Sequence, residues 1–238
     1  ERKRAEDELK RINKELESYA YVVSHDLKGP ISIIISSIGA LDELEDKCQG
    51  DVDLDHLKSI IDIIDRGARN AAKLIDDLLS LAEAGQVSEE ISEVDVGEVV
   101  RRVFEERSDR IEKRGIKVMM DDDLGRMTAD PTHIYQLFSN LIGNAIEYND
   151  NPQPEVMVEY KGESKGGGQR YVVSDNGSGF SPLDPGSLFD PFLKGRRGGT
   201  GIGLAIVKKI VDLYGGDIRT YDNGGAYFEF TLKKLVQE

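Results

Sequence analysis

The sequence predicts two domains of different class: an all-α helical hairpin that assembles as a dimeric four-helix bundle, then an α+β domain with a mixed sheet. Three observations predict this. Apolar residues repeat by threes and fours through the first third of the chain, a Gly-, Ser- and acid-rich stretch at 82–95 ends that repeat, and short alternating segments bounded by Gly, Pro, Asn and Asp fill the remainder.

Ala5, Leu9, Ile12, Leu16, Tyr19 and Val23 keep the heptad spacing of a coiled-coil seam, which places a coiled-coil helix over 1–20. The hairpin follows over 21–84. It contains "SHDLKGP" at 24–30, where a proline inside a helical pattern costs roughly 3 kcal/mol or more. Leu27, Ile31, Ile34, Ile38 and Leu41 resume the repeat, but the steps 19-23-27-31 are all fours, a stutter that locally unwinds a supercoil. His25 lies two residues from both Val23 and Leu27 and so points away from the seam, toward solvent.

Gly50 with Asp51 and Asp53 reads as a helix stop and a new N-cap, and Leu54, Leu57, Ile61, Ile64, Ala68, Ala71, Ile75, Leu78 and Ala82 carry the second helix. Ile60, Ile63, Leu74 and Leu81 widen its stripe. One hairpin cannot bury two such stripes, whereas two copies can, so a homodimer is expected.

A linker is placed at 85–93 and the second domain at 94–238. Its expected elements are a strand at 93–96, one helix over about 97–114, a strand at 116–121 and a helix from Asp130-Pro131, an N-cap with a first-turn proline, to about 149. Strands near 154–161 and 169–175, a helix over 201–214, and strands near 217–222 and 226–232 complete it.

The formal charge of -14 argues against nucleic acid and anionic lipid as partners. "ISIIISSIGAL" at 31–41 falls short of the roughly 18–20 residues of a membrane span. A single cysteine, Cys48, permits no internal disulfide and fits a reducing compartment. The chain opens at Glu1 without a signal peptide, so a cytoplasmic fragment of a longer protein that could be membrane-anchored is expected. His56 and His133, in or near first turns, read as surface residues, and no converging metal ligands are found.

Three constellations carry chemistry. Asn140, Asn144 and Tyr148 stand at i, i+4 and i+8 on one face of an apolar helix. "VSDNGSGF" at 173–180 ends a strand with Asp175, followed by Gly177 and Gly179, which let a backbone approach a ligand that the carboxylate accepts from. "GGTGIGLAIVKKI" at 198–210 puts glycines at a helix start, where free N–H groups favour phosphate. A dinucleotide fold needs an apolar strand before such glycines, and "FDPFLKGRRGG" stands there instead.

Taken in order with "SHDLKGP", these motifs resemble the sensor histidine kinases of two-component signalling, with 21–84 similar to the dimerisation and histidine phosphotransfer domain and 94–238 to the catalytic domain of the group that includes gyrase- and Hsp90-type ATPases. The resemblance implies an α/β sandwich, ATP and Mg²⁺ as cofactors, and a response regulator as partner. It implies that His25 accepts the γ-phosphoryl group with Asp26 as its orienting base, that Asn144 coordinates Mg²⁺ with Asn140 beside it, and that Tyr148 packs on adenine while Asp175 accepts from the adenine amino group. Gly177 and Gly179 then allow close approach, and Thr200, Gly201, Gly203 and Leu204 form the phosphate-side helix start. Residues 181–199 become an ATP lid anchored by Phe189 and Phe192, with Lys194, Arg196 and Arg197 facing phosphate, and the N-terminal heptads convey a signal from a sensor domain upstream.

Two positions depart from the family pattern. Glu147 stands where a basic residue is usual, which predicts weak ATP affinity. Gly29, four residues after His25, replaces the Thr or Asn of relatives that dephosphorylate their partners, although it also relieves crowding before Pro30. Two other readings stay open: a gyrase- or Hsp90-like ATPase without autokinase activity, and a non-enzymatic dimeric scaffold that binds a regulator. Whether phosphate passes within or between protomers depends on how the loop at about 47–53 turns.

Overall fold

A computed structural model describes residues 23, 25–41, 54–86, 90–164, 166–180, 187–193 and 199–233. The expected coiled coil over 1–20, Cys48 and the hairpin loop at 47–53 lie outside the described residues. The chain divides into two compact units, Glu1–Asp76 and Asp77–Glu238.

The first unit is helical. Helix α1 covers 25–41 and runs without interruption through Gly29 and Pro30; α2 spans Leu54–Glu83. Gly67 lets the two approach closely, since a β-carbon there would stand 3.0 Å from Ile34 Cγ1 and 3.3 Å from the Pro30 carbonyl oxygen. Within α2 the seam differs from the expected one. Ile60, Gly67, Leu74 and Leu81, spaced by sevens, are buried, with Leu57, Ile64, Ala71 and Leu78 half-buried between them. The other expected positions, Leu54, Ile61, Ala68, Ile75 and Ala82, are exposed, as are Ile31, Ile35 and Ile38 on α1. Each helix therefore carries two adjacent apolar stripes, and a periodicity of threes and fours fits either of them.

The second unit holds a five-stranded sheet in the order β2-β4-β5-β7-β6, built from Lys117–Met120 (β2), Glu155–Glu163 (β4), Gly168–Asp175 (β5), Ile218–Asp222 (β6) and Ala226–Lys233 (β7). Only β2 and β4 pair in parallel, so the sheet is mixed as expected. Strand β1 (Ser92–Asp95) pairs antiparallel with β3 (Arg126–Ala129), a strand the sequence reading missed because only Met127 and the small Ala129 mark its buried face.

Helices α5 (Pro131–Tyr148) and α6 (Gly203–Leu213) cover the sheet, and α3 (Val96–Glu105) packs against α5 and β1. Asp130 caps α5 by accepting from Thr132 N at 2.7 Å, with Pro131 in the first turn, worth about 1 kcal/mol for such a cap. Leu137, Phe138, Leu141, Ile142 and Ile146 of α5 are buried, and Phe138 meets Tyr171 and Phe230 edge-on at centroid distances of 5.6 and 5.7 Å. Tyr171, fully buried, satisfies its hydroxyl by donating to the Leu124 carbonyl at 3.1 Å.

The single helix expected over 97–114 is two. It breaks at Glu106–Arg107, and α4 (Ser108–Arg114) follows, ending at Gly115 in the left-handed conformation. Val96, Val100, Val103 and Phe104 of α3 face the core, whereas α4 buries no residue fully and its one aliphatic side chain, Ile111, is half-buried.

His133 is not a surface residue. It is 5% exposed, its Nδ1 lies 3.4 Å from the Tyr214 hydroxyl and 3.9 Å from Asp130 Oδ2, and its ring meets Tyr214 edge-on. Burial pushes its pKa below the ordinary value and Asp130 pulls the other way. The unfolded chain then takes up the proton more readily than the folded one. The stability due to neutral His133 is complete above the ordinary histidine value of about 6.5 and is lost as pH falls from there through the lower folded-state value. Tm is expected to fall between pH 7 and 5 in thermal melts, and His133→Gln to flatten that slope.

Candidate active site

On α1, His25 is exposed and its Nδ1 lies 3.2 Å from Asp26 Oδ1; the side chains are 76% and 11% exposed. The carboxylate is thus held by the helix, while the imidazole projects from it. With Nδ1–H donated to Asp26, the Nε2 lone pair is free to act as a nucleophile. Gly29, one turn on, has no atom within 4 Å of where a β-carbon would sit, so a larger side chain would fit beside the imidazole.

In the second unit, the other predicted residues come from α5, the end of β5 and the glycine-rich turn before α6. Three glycines join them. A β-carbon at Gly203 would stand 2.6 Å from Asn140 Oδ1, and one at Gly199 would stand 2.6 Å from the Tyr148 hydroxyl. The turn therefore lies against both ends of the Asn140, Asn144, Tyr148 row. Gly201, at φ 70°, occupies a conformation that side chains resist, and its carbonyl accepts from Phe192 N at 2.8 Å.

Helix α6 starts at Gly203, two residues later than expected, behind Ile202, which offers no side-chain cap. Its first N–H groups are left for a ligand or water. Leu204 is half-buried. Thr200 donates from Oγ1 to Asp77 Oδ2 at 2.6 Å, a partner the sequence reading did not anticipate.

Asp175 closes β5. Its Oδ1 accepts from Gly177 N at 2.8 Å and Ala226 N at 3.3 Å, and burial, opposed by these two bonds, holds its pKa above the usual carboxylate value. A β-carbon at Gly177 would crowd both Asp175 Oδ1 and the Asn149 backbone, which places the strand end directly beside the end of α5. At Gly179, φ 70°, the Asp222 carboxylate fills the space. Tyr148 is 37% exposed, and partial burial raises its pKa.

The sequence reading missed a web of amides that ties these pieces together. Asn149, 1% exposed, donates to the Glu155 carbonyl at 3.1 Å and to Asn176 Oδ1 at 2.9 Å, and Asn176 Oδ1 also accepts from Glu155 N at 2.8 Å. Asn151 donates to the Asn176 carbonyl at 2.8 Å, and Asp150 accepts from Ser178 N at 2.8 Å. The only sequence signal was "YNDNP" opposite "SDNGS", two Asx-rich turns whose pairing spacing cannot reveal.

Lys194, Arg196 and Arg197 lie outside the described residues. Of the expected lid, 181–186 and 194–198 lie outside the described residues; among the described ones Phe189 and Phe192 are half-buried, and Leu188, in the single turn Ser187–Phe189, is buried. A cavity of about 250 Å³ opens at the far end of α5, lined by Glu83, Glu90, Asp130 and His133, and holds none of the predicted site residues. No cluster of three or more His, Cys, Asp or Glu side chains able to hold a metal occurs among the described residues. The amide oxygen of Asn144 is a hard donor of the kind Mg²⁺ accepts when substrate phosphates supply the remaining ligands, so the residues fit that ion.

A helical hairpin with a solvent-facing histidine, joined to a domain that sets a glycine-rich helix start against an asparagine-bearing helix, defines a phospho-acceptor and ATPase pair. Two family models match accordingly: the His Kinase A (phospho-acceptor) domain over residues 15–86 and the histidine kinase-, DNA gyrase B- and HSP90-like ATPase over residues 129–236. The catalytic domain of histidine kinase ThkA is 31% identical, covers 61% of this chain and 96% of its own, and superposes with a TM-score of 0.53. ThkA in complex with the response regulator protein TrrA is 26% identical over 98% of this chain and 66% of that one, with a TM-score of 0.70. The methanogenesis regulatory histidine kinase FilI of Methanothrix harundinacea (strain 6Ac) is 32% identical over 94% of this chain. The chain spans 25% of FilI's length. The chain belongs to the sensor histidine kinases. Among the described residues, no helix is long and apolar enough to cross a membrane.

Proposed function

We propose that this chain is the kinase core of a two-component sensor: it transfers the γ-phosphoryl group of ATP to His25 and from there to an aspartate of a response regulator. The observation that carries this reading is the exposed His25 held on Asp26, in a chain whose second unit assembles Asn140, Asn144, Tyr148, Asp175 and the Gly199–Gly203 turn. The Nε2 lone pair forms the N–P bond as the bond from phosphorus to the ADP oxygen breaks, and the carboxylate of Asp26 offsets the positive charge on the ring or accepts the Nδ1 proton. Asn144 would hold Mg²⁺, which when bound neutralises charge on the phosphates; Asp175 accepts from the adenine amino group and the α6 start receives phosphate oxygens.

The exposed apolar stripe of Ile31, Ile35, Ile38, Ile61 and Ile75 supports a homodimeric four-helix bundle as the working form. Response regulators are the proposed partners because ThkA, of similar fold, is found in complex with one. The bounds proposed for the parts remain 1–20, 21–84, 85–93 and 94–238, and the compartment the cytoplasm. The test is incubation with γ-labelled ATP and Mg²⁺: protein-bound label that survives alkali and is lost in acid is expected, whereas no label despite ATP binding would favour an ATPase or a scaffold. Gly29 offers no side chain to orient water, so regulator phosphate is expected to persist with this chain when ATP is absent. Rapid loss would refute that reading of Gly29.

A further inference from the structure

Three arginines at helical spacing run beside the row of residues that carries the site. Arg107 donates to Ser139 Oγ at 2.7 Å and to the Ser139 carbonyl at 3.2 Å. Arg110 donates from Nη1 to Glu147 Oε2 at 2.7 Å. Arg114 donates to the carbonyls that end α5, those of Ile146, Glu147 and Asn149. Ser139, Gly143 and Glu147 form the i, i+4, i+8 row adjacent to Asn140, Asn144 and Tyr148, and a β-carbon at Gly143 would meet Arg107 Nη2 at 3.5 Å.

Arg107 and Arg114 bind backbone carbonyls and so fasten α5 in place. Arg110 differs. Among the described residues its side chain pairs with the Glu147 carboxylate alone, and the two side chains are 68% and 53% exposed. A pair so wet contributes little to stability. Its position is more telling: the Glu147 carboxylate is three residues from Asn144 and adjacent to Tyr148, where an unpaired negative charge would repel the phosphates of a nucleotide.

We propose that Arg110 is a positioning residue for the triphosphate: by pairing with Glu147 it offsets a negative charge one turn from Asn144, and it thereby lifts a repulsion that would weigh more on ATP than on AMP. The inference rests on the nucleotide reading above. It also answers the expectation that Glu147 weakens ATP binding, since the structure supplies from α4 the cation that position 147 lacks.

The test is calorimetric titration of ATP and AMP, each with Mg²⁺, into the parent chain, Arg110→Ala and Arg110→Ala/Glu147→Gln. At low salt Arg110→Ala is expected to weaken ATP binding about five- to tenfold, the scale of one screened unit charge, and the loss should shrink at high salt. AMP binding should stay within about twofold, because the α-phosphate alone carries less charge past Glu147. The double variant should recover the parent's ATP affinity. Unchanged ATP affinity in Arg110→Ala, equal losses for ATP and AMP, or failure of the double variant to recover would each overturn the proposal while leaving nucleotide binding in place. A parent chain that binds neither nucleotide overturns the nucleotide reading and this inference together.

Discussion

His25→Gln is expected to incorporate no label from γ-labelled ATP while keeping ATP affinity within about twofold of the parent, because the change removes only the nucleophilic lone pair. Glutamine keeps the length and polarity of the side chain, and the site is exposed, so folding is not at stake. Asp26→Asn is the informative companion. Its amide can still approach Nδ1 but cannot take up the charge that develops on the ring, and loss of such a group costs on the order of 100- to 10,000-fold in rate. Residual slow labelling in Asp26→Asn, set against none in His25→Gln, separates the base from the acceptor. Equal labelling of parent and His25→Gln would assign the phosphate to another residue.

The second large effect is expected at Asp175, and it divides stability from binding. Burial raises this carboxyl's pKa, so the folded state holds the proton more readily than the unfolded one. A group raised in this way contributes stability at pH below its unfolded value and loses it as pH rises through the folded value, so near neutrality its charge is a cost. Asp175→Asn removes the charge, and its oxygen can still accept from Gly177 N and Ala226 N. Tm at pH 7 is expected to equal or exceed that of the parent. ATP affinity should nonetheless fall about 10- to 100-fold, as the amide presents a donor where the adenine amino group needs an acceptor. Calorimetric melts and titrations on the same samples decide it; a variant that loses Tm and keeps its affinity would remove Asp175 from the adenine site.

What the sequence made legible were features whose partners are near in the chain. The Asn140, Asn144, Tyr148 row follows from helical spacing, the α5 cap from Asp130-Pro131, and the α6 start from its glycines. The unread features depend on pairs far apart. Arg110 meets Glu147 across 37 residues and Asn149 meets Asn176 across 27, and nothing in either segment names the other. His133 looked like a first-turn surface histidine because the residue that buries it, Tyr214, lies 81 positions away. The hairpin shows a subtler limit. A repeat of threes and fours marks an apolar helix face, but α2 has two such faces one residue apart, and only the structure shows that Ile60 and Leu74 turn inward while Ile61 and Ile75 do not.

The amide web between Asn149, Asn151 and Asn176 has a consequence for how the protein ages. Asn176-Gly177 is the dipeptide most prone to deamidation, which requires the glycine nitrogen to swing onto the asparagine side-chain carbon and close a succinimide. Here Gly177 N is committed to Asp175, and the Asn176 amide is fixed by its contacts with Asn149, Gln153 and Glu155. The ring cannot close without opening the C-terminal end of β5. Asn223-Gly224, in the exposed turn between β6 and β7, has no such restraint on its side chain among the described residues, so chemical wear falls on that turn and spares the strand end that carries Asp175.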